Sequence, residues 1–131
     1  MLEDEKQLIR RSQDMKIKTN VSELTKDDII SILSIGLEDS FWAIVDDCTD
    51  NYKNAKGDTI EDKLADILLN GKEITIYDSY ENEDHTINMI QFTQGLQQFF
   101  DNGGSGKIEN WDGIDGDNAL QYIVFGEVIY G

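Results

Sequence analysis

The stretch DTIEDKLADILLNGKEITIYDSY, residues 58–80, changes its hydrophobic period halfway along. Ile60, Leu64, Ile67 and Leu68 recur at i, i+4, i+7 and i+8, which is one face of a helix. Asp58 or Thr59 supplies the N-cap, and Glu61 and Asp62 put acids in the first turn. Gly71 stands where a left-handed terminal glycine ends such a helix. Beyond it Ile74 and Ile76 alternate with Thr75 and Tyr77, the period of two that belongs to a strand. A chain holding both periods side by side is neither all-helical nor all-β.

The remaining elements follow from the same reasoning. Thr25, with Asp28 three residues on, opens a helix over about Lys26–Ile35, whose Ile29, Ile32, Leu33 and Gly36 share one face. FWAIVDD, 41–47, suits either a strand or a helical turn. NYKNAKGD, 51–58, reads as a loop. After the acidic tip ENED, the segment HTINM forms the return strand of a hairpin. Asn88 and Gln91 form a start signal for a helix through Phe99 or Phe100, with Ile90, Leu96, Phe99 and Phe100 facing the core. ALQYIVFGEVIYG is apolar on nearly every side and reads as a buried closing helix, capped by Asp115 or Asp117, with a strand as the alternative for its VIY end. Lys16–Val21 alternates and reads as a strand, while residues 1–14 form an extension outside the core. The expected fold is α+β: about three antiparallel strands packed against about four helices, in a single domain over residues 15–131.

Charge narrows the function. The 131 residues hold 27 acids and 11 bases, a formal net charge of −16. Residues 36–131 carry nearly all of it, with 20 acids against 5 bases. Direct binding to nucleic acid needs clustered Lys and Arg, so neither nucleic acid nor an anionic membrane is expected as a partner. No apolar run approaches the roughly 20 residues that span a bilayer. The start, MLEDEKQLIRRSQ, has no apolar signal core, and the single Cys48 has no internal disulfide partner. These features suit a cytoplasmic protein. Its partner is expected to be basic, unless the acids serve solubility alone.

Catalysis and metal binding find little support. Asp101, Ser105, Glu109 and Asp112 fall near the ligand positions of an EF-hand loop, with Gly106 at the sharp turn. Gly103 lacks a side-chain oxygen at the third position, however, and WDGIDGD gives no sign of a second helix. His85, the single histidine, reads as an exposed strand residue. Cys48 lies beside Asp46 and Asp47, which oppose thiolate formation and favour a buried or inert thiol. GGSGK, 103–107, lacks the spacing of a phosphate loop and the hydroxyl residue after its lysine. Neither an enzyme nor a cofactor is expected.

The acids fall in neighbouring pairs, and Glu38, Asp39, Asp46, Asp47, Glu83, Asp84, Asp112 and Asp115 are the candidate partner-binding carboxylates. On a rigid scaffold such pairs imitate nucleic-acid phosphates and compete for a site built of Lys and Arg. Trp42, Trp111 or Tyr80, if exposed, anchor the contact; otherwise they belong to the core. A third arrangement is a homodimer joined through the apolar C-terminal segment.

EDKLADILLNGKEITIYD, 61–78, and LQYIVFGEVIYG, 120–131, resemble a family of small acidic proteins from phages and conjugative elements of Gram-positive bacteria. The resemblance covers about the last hundred residues and leaves out residues 1–14. It implies a context rather than a mechanism: inhibitors of host defence, including anti-CRISPR and anti-restriction proteins, several of them nucleic-acid mimics. It carries over no catalytic residue. The expected partner is a basic nucleic-acid-binding protein such as a CRISPR effector or a restriction enzyme.

Overall fold

The computed structural model describes residues 24–131. The expected strand at Lys16–Val21 and the extension at 1–14 lie outside the described residues. The elements are α1 (Lys26–Asp39), β1 (Ala43–Val45), α2 (Asp50–Lys53), α3 (Ile60–Leu69), β2 (Ile74–Asp78), β3 (Glu83–Ile87), α4 (Met89–Asp101) and α5 (Gly113–Phe125), with a short 3-10 turn at Ile108–Asn110. The fold is α+β, as expected. Its antiparallel sheet has the order β1-β2-β3, with Ile44 opposite Tyr77 and Tyr77 opposite Asp84.

Local signals place most helix ends. Thr25 accepts from Asp28 N while Asp28 accepts from Thr25 N, a full capping box. Asn88 and Gln91 do the same for α4. Thr59 caps α3. At its other end, Lys72 N bonds to Ile67 O and Gly71 N to Leu68 O, with Gly71 at φ +75°. This is the paired closure that a left-handed glycine allows. Because the Asn88 side chain satisfies an otherwise orphaned amide, Asn88→Ala is expected to cost about 1 kcal/mol, measured by urea denaturation.

Helix α5 is the centre of the molecule. It packs along α1 on one side and α4 on the other, and also touches β3. Ala119, Leu120 and Ile123 of α5 join Ile29, Ile32 and Leu33 of α1, Phe92, Leu96 and Phe99 of α4, and Leu64, Ile67 and Leu68 of α3. Ile74 and Ile76 of β2 and Ile87 of β3 complete this core. The outward row Ile44, Tyr77, Asp84 lies on the opposite sheet face, because successive side chains alternate.

Several expectations need correction. Helix α5 begins at Gly113, so WDGIDGD contains its first turn. Asp112 is its cap, in a capping box with Asp115; neither Asp115 nor Asp117 is the cap. A second helix therefore does follow the glycine loop. α1 runs four residues beyond Ile35. The expected loop at 51–58 begins as the short helix α2, capped by Thr49. The segment 41–47 resolves as strand β1. Ile60 and Ile90 are exposed, each in the first turn of its helix and turned off the buried face.

Candidate functional site

A groove opens where the end of α1, the start of α5 and the segment after α5 meet. Its volume is about 660 Å3, and it is lined by Asp39, Asp112, Gly113, Ile114, Asp117, Asn118, Val128, Tyr130 and Gly131. The lining holds three aspartates and, among the described residues, no lysine or arginine. Ile114 is 71% exposed, on the second residue of α5.

A buried polar network builds the groove's inner wall. Asp117 Oδ1 accepts from Ser40 Oγ (2.7 Å) and from Trp42 Nε1 (2.8 Å). Asp117 Oδ2 accepts from Gln121 Nε2 (3.0 Å). Gln121 is wholly buried, and its other bonds hold the following segment. Its Nε2 donates to Tyr130 O, while its Oε1 accepts from Ile129 N and Tyr130 N. Every polar atom of this amide is engaged, which is what burial of a polar group demands.

Tyr130 ties the segment to the sheet. Its hydroxyl donates to Asp78 Oδ2 at 2.5 Å, and Asp78 Oδ1 accepts from Tyr80 N and Glu81 N. Its ring meets those of Tyr80 (5.0 Å), Phe125 (5.8 Å) and Trp42 (5.9 Å). Burial, the bond to Asp78 and the negative fields of Asp78, Glu81 and Glu83 all push the Tyr130 hydroxyl well above the usual tyrosine range. A folded-state value above the unfolded one keeps its full stabilising effect below the unfolded value of about 10 and loses it as pH rises beyond that. The thermal midpoint of the protein is therefore expected to fall above about pH 10, and Tyr130→Phe is expected to flatten that part of the pH profile.

The structure unites some of the expected carboxylates and separates others. Glu38 and Asp39 end α1. The Asp39 carboxylate lies so close to the first turn of α5 that a Cβ on Gly113 would come within 2.4 Å of its Oδ2. Asp39 and Asp112 thus share the groove, though they stand 73 positions apart in sequence. Glu83 opens β3 beside the buried Asp78, close enough for its charge to act on Tyr130. The exposed Tyr80 packs edge-on against the Tyr130 ring, and the charge of Glu81 acts on the same hydroxyl. Asp84 points out on the far face of the sheet, opposite Tyr77. Asp115 is half-buried and bound to its capping partner. Asp46 and Asp47 follow β1, at the opposite end of that strand from Ser40 and Trp42.

Among the aromatic anchors, Tyr80 is 57% exposed, whereas Trp42 (2%) and Trp111 (8%) belong to the core. Trp111 Nε1 donates to Ser105 O and its ring meets Phe99, so it pins the glycine loop to α4. Sequence reasoning missed Asp117, Gln121 and Tyr130. The available signal was their spacing: Asp117 and Gln121 are one helical turn apart on the face that an apolar helix buries.

Three of the four calcium-loop positions have other engagements. Asp101 Oδ1 accepts from Gln97 Nε2, Ser105 Oγ bonds to Lys107, and Asp112 is the α5 cap. Glu109 lies exposed in the 3-10 turn. The acids and thiol whose ligand atoms lie within 4.8 Å of one another among the described residues are Asp46, Asp47 and Cys48, at the surface. Cys48 is exposed rather than buried. Its thiol donates to Asp47, and that bond, with the Asp47 charge, raises its pKa above the usual value. Less thiolate forms at neutral pH, so alkylation of Cys48 is expected to be slow; Asp47→Asn is expected to speed it severalfold in a timed iodoacetamide assay. His85 is half-buried, its ring edge-on to Phe125 at 5.1 Å and its Nε2 3.7 Å from Glu83. It faces the core side of the sheet, beside Ile76, and is not the exposed residue expected.

No helix among the described residues is long and apolar enough to cross a membrane. No family model, curated protein or solved structure matches this chain.

Proposed function

We propose that this protein binds a basic surface on a host nucleic-acid-handling protein and blocks it. The partner class is a CRISPR effector or restriction enzyme, met in the bacterial cytoplasm by an accessory protein of a mobile element. One observation carries the reading. Residues 1–23 hold five acids and five bases, so the whole net charge of −16 falls on residues 24–131. Asp39 and Asp112 among them flank a concave, partly apolar groove lined also by Ile114, Val128 and Tyr130, and the exposed Tyr80 packs edge-on against Tyr130. The likeness of 61–78 and 120–131 to small acidic proteins of phages and conjugative elements supplies the context.

Such a surface exchanges counterions as DNA does, so its binding weakens with salt and yields to competing DNA. The test is affinity capture from host lysate at low and high salt, with and without added duplex DNA, read by mass spectrometry. The expected result is a nucleic-acid-binding protein recovered at low salt and displaced by DNA. Capture indifferent to both salt and DNA overturns mimicry.

A further inference from the structure

The groove asks for more than charge. A purely electrostatic surface needs no concavity, yet here an open groove of about 660 Å3 lies between three elements. Its apolar wall is unspent: Ile114 is exposed on α5, and Val128 is exposed on the segment opposite. Its carboxylates are unequal. Asp117 already accepts three hydrogen bonds, and Asp112 is engaged in its capping box. Asp39 is exposed, and no hydrogen bond to its carboxylate is found among the described residues. Tyr130 adds an aromatic wall, backed by Tyr80 and Phe125.

We propose that this groove takes an arginine-bearing apolar segment of the partner protein. This rests on the acidic-surface reading above and assigns its anchor. The guanidinium meets Asp39 and lies along the Tyr130 ring. Neighbouring aliphatic side chains of the segment cover Ile114 and Val128. Arginine fits better than lysine because its planar fork pairs with a carboxylate and stacks on an aromatic face, whereas lysine is a strongly hydrated point charge. Charge complementarity fixes the sign: among the described residues, three aspartates and no base line the groove. The apolar contacts fix the position, since they distinguish this site from the other acids of the surface.

The test uses the full chain, labelled with nitrogen-15, and three capped peptides in which leucine alternates with arginine, lysine or glutamate. At low salt the arginine peptide is expected to shift amides of residues 112–118 and 127–131. It is expected to bind more tightly than the lysine peptide, and the glutamate peptide not at all. Ile114→Ser removes exposed surface and spares the core; it is expected to weaken binding about fivefold, as is Asp39→Asn, while Glu73→Gln, just before β2 and at the far end of that strand from Asp78, changes nothing. Shifts spread evenly over the acidic surface, with no effect of Ile114→Ser, overturn the groove and leave the acidic-surface reading standing. Absence of any arginine-peptide binding also overturns the groove, and the lysate capture then judges the broader reading alone.

Discussion

Replacing Gly95 by leucine is expected to abolish cooperative unfolding, and even alanine is expected to cost about 1–3 kcal/mol. A Cβ at this position would lie 2.3 Å from Ile123 Cα, 2.5 Å from Tyr122 O and 2.6 Å from Ile123 N. These are main-chain atoms of α5, so no side-chain rotation relieves the clash, and the two helices must part. Intrinsic propensity works the other way, favouring alanine over glycine by about 1 kcal/mol in a helix interior. The clash outweighs it because α5 is held on its other side by α1, where a Cβ on Gly116 would meet Ile35 at 2.5 Å. Scanning calorimetry decides the matter. A midpoint for Gly95→Ala several degrees below the parent is expected, and a raised midpoint would mean that the helices separate at no cost.

Trp42→Ala is expected to cost about 3–5 kcal/mol, a large share of the stability of a domain this size. The indole is buried between Phe125 (4.8 Å) and Tyr130 (5.9 Å), and its Nε1 donates to Asp117. Truncation leaves a cavity and removes one donor from a carboxylate inside the groove wall. Trp42→Phe separates the two losses. It restores most of the volume and omits the donor, and Ser40 still serves the same Asp117 oxygen, so a cost of about 1 kcal/mol is expected. Equal losses for the two variants in urea denaturation would place the stability in the hydrogen bond rather than in the ring.

The parts of this fold that local chemistry dictates were legible in the sequence. α3 runs between Thr59 and the left-handed Gly71, α4 starts at the Asn88–Gln91 box, and Ile74 and Ile76 alternate into the core. The start of α5 was hidden because glycine and aspartate are poor helix formers. Gly113, Gly116 and Asp117 are nonetheless helical, since the Asp112–Asp115 box nucleates the turn and α1 packs directly upon it. Tertiary demand overrode propensity. The same blindness affected the aromatics. Trp42 and Trp111 are buried by elements distant in sequence, and composition does not say which rings face water. As for the site, Asp39 and Asp112 were readable as separate acids. That they line one groove follows from the crossing of α1 and α5, which no local pattern encodes.

The Gln121 clasp has a consequence for how this surface changes over evolutionary time. All its bonds to the closing segment go to main-chain atoms of Ile129 and Tyr130, and none goes to a side chain. Such a grip is indifferent to which residues pass through it. Val128 and Ile129 can be exchanged for other side chains while the segment stays docked, anchored by Tyr130 on Asp78. One wall of the groove is thus an interchangeable panel on a fixed frame, whose side chains can be recut without refolding the domain.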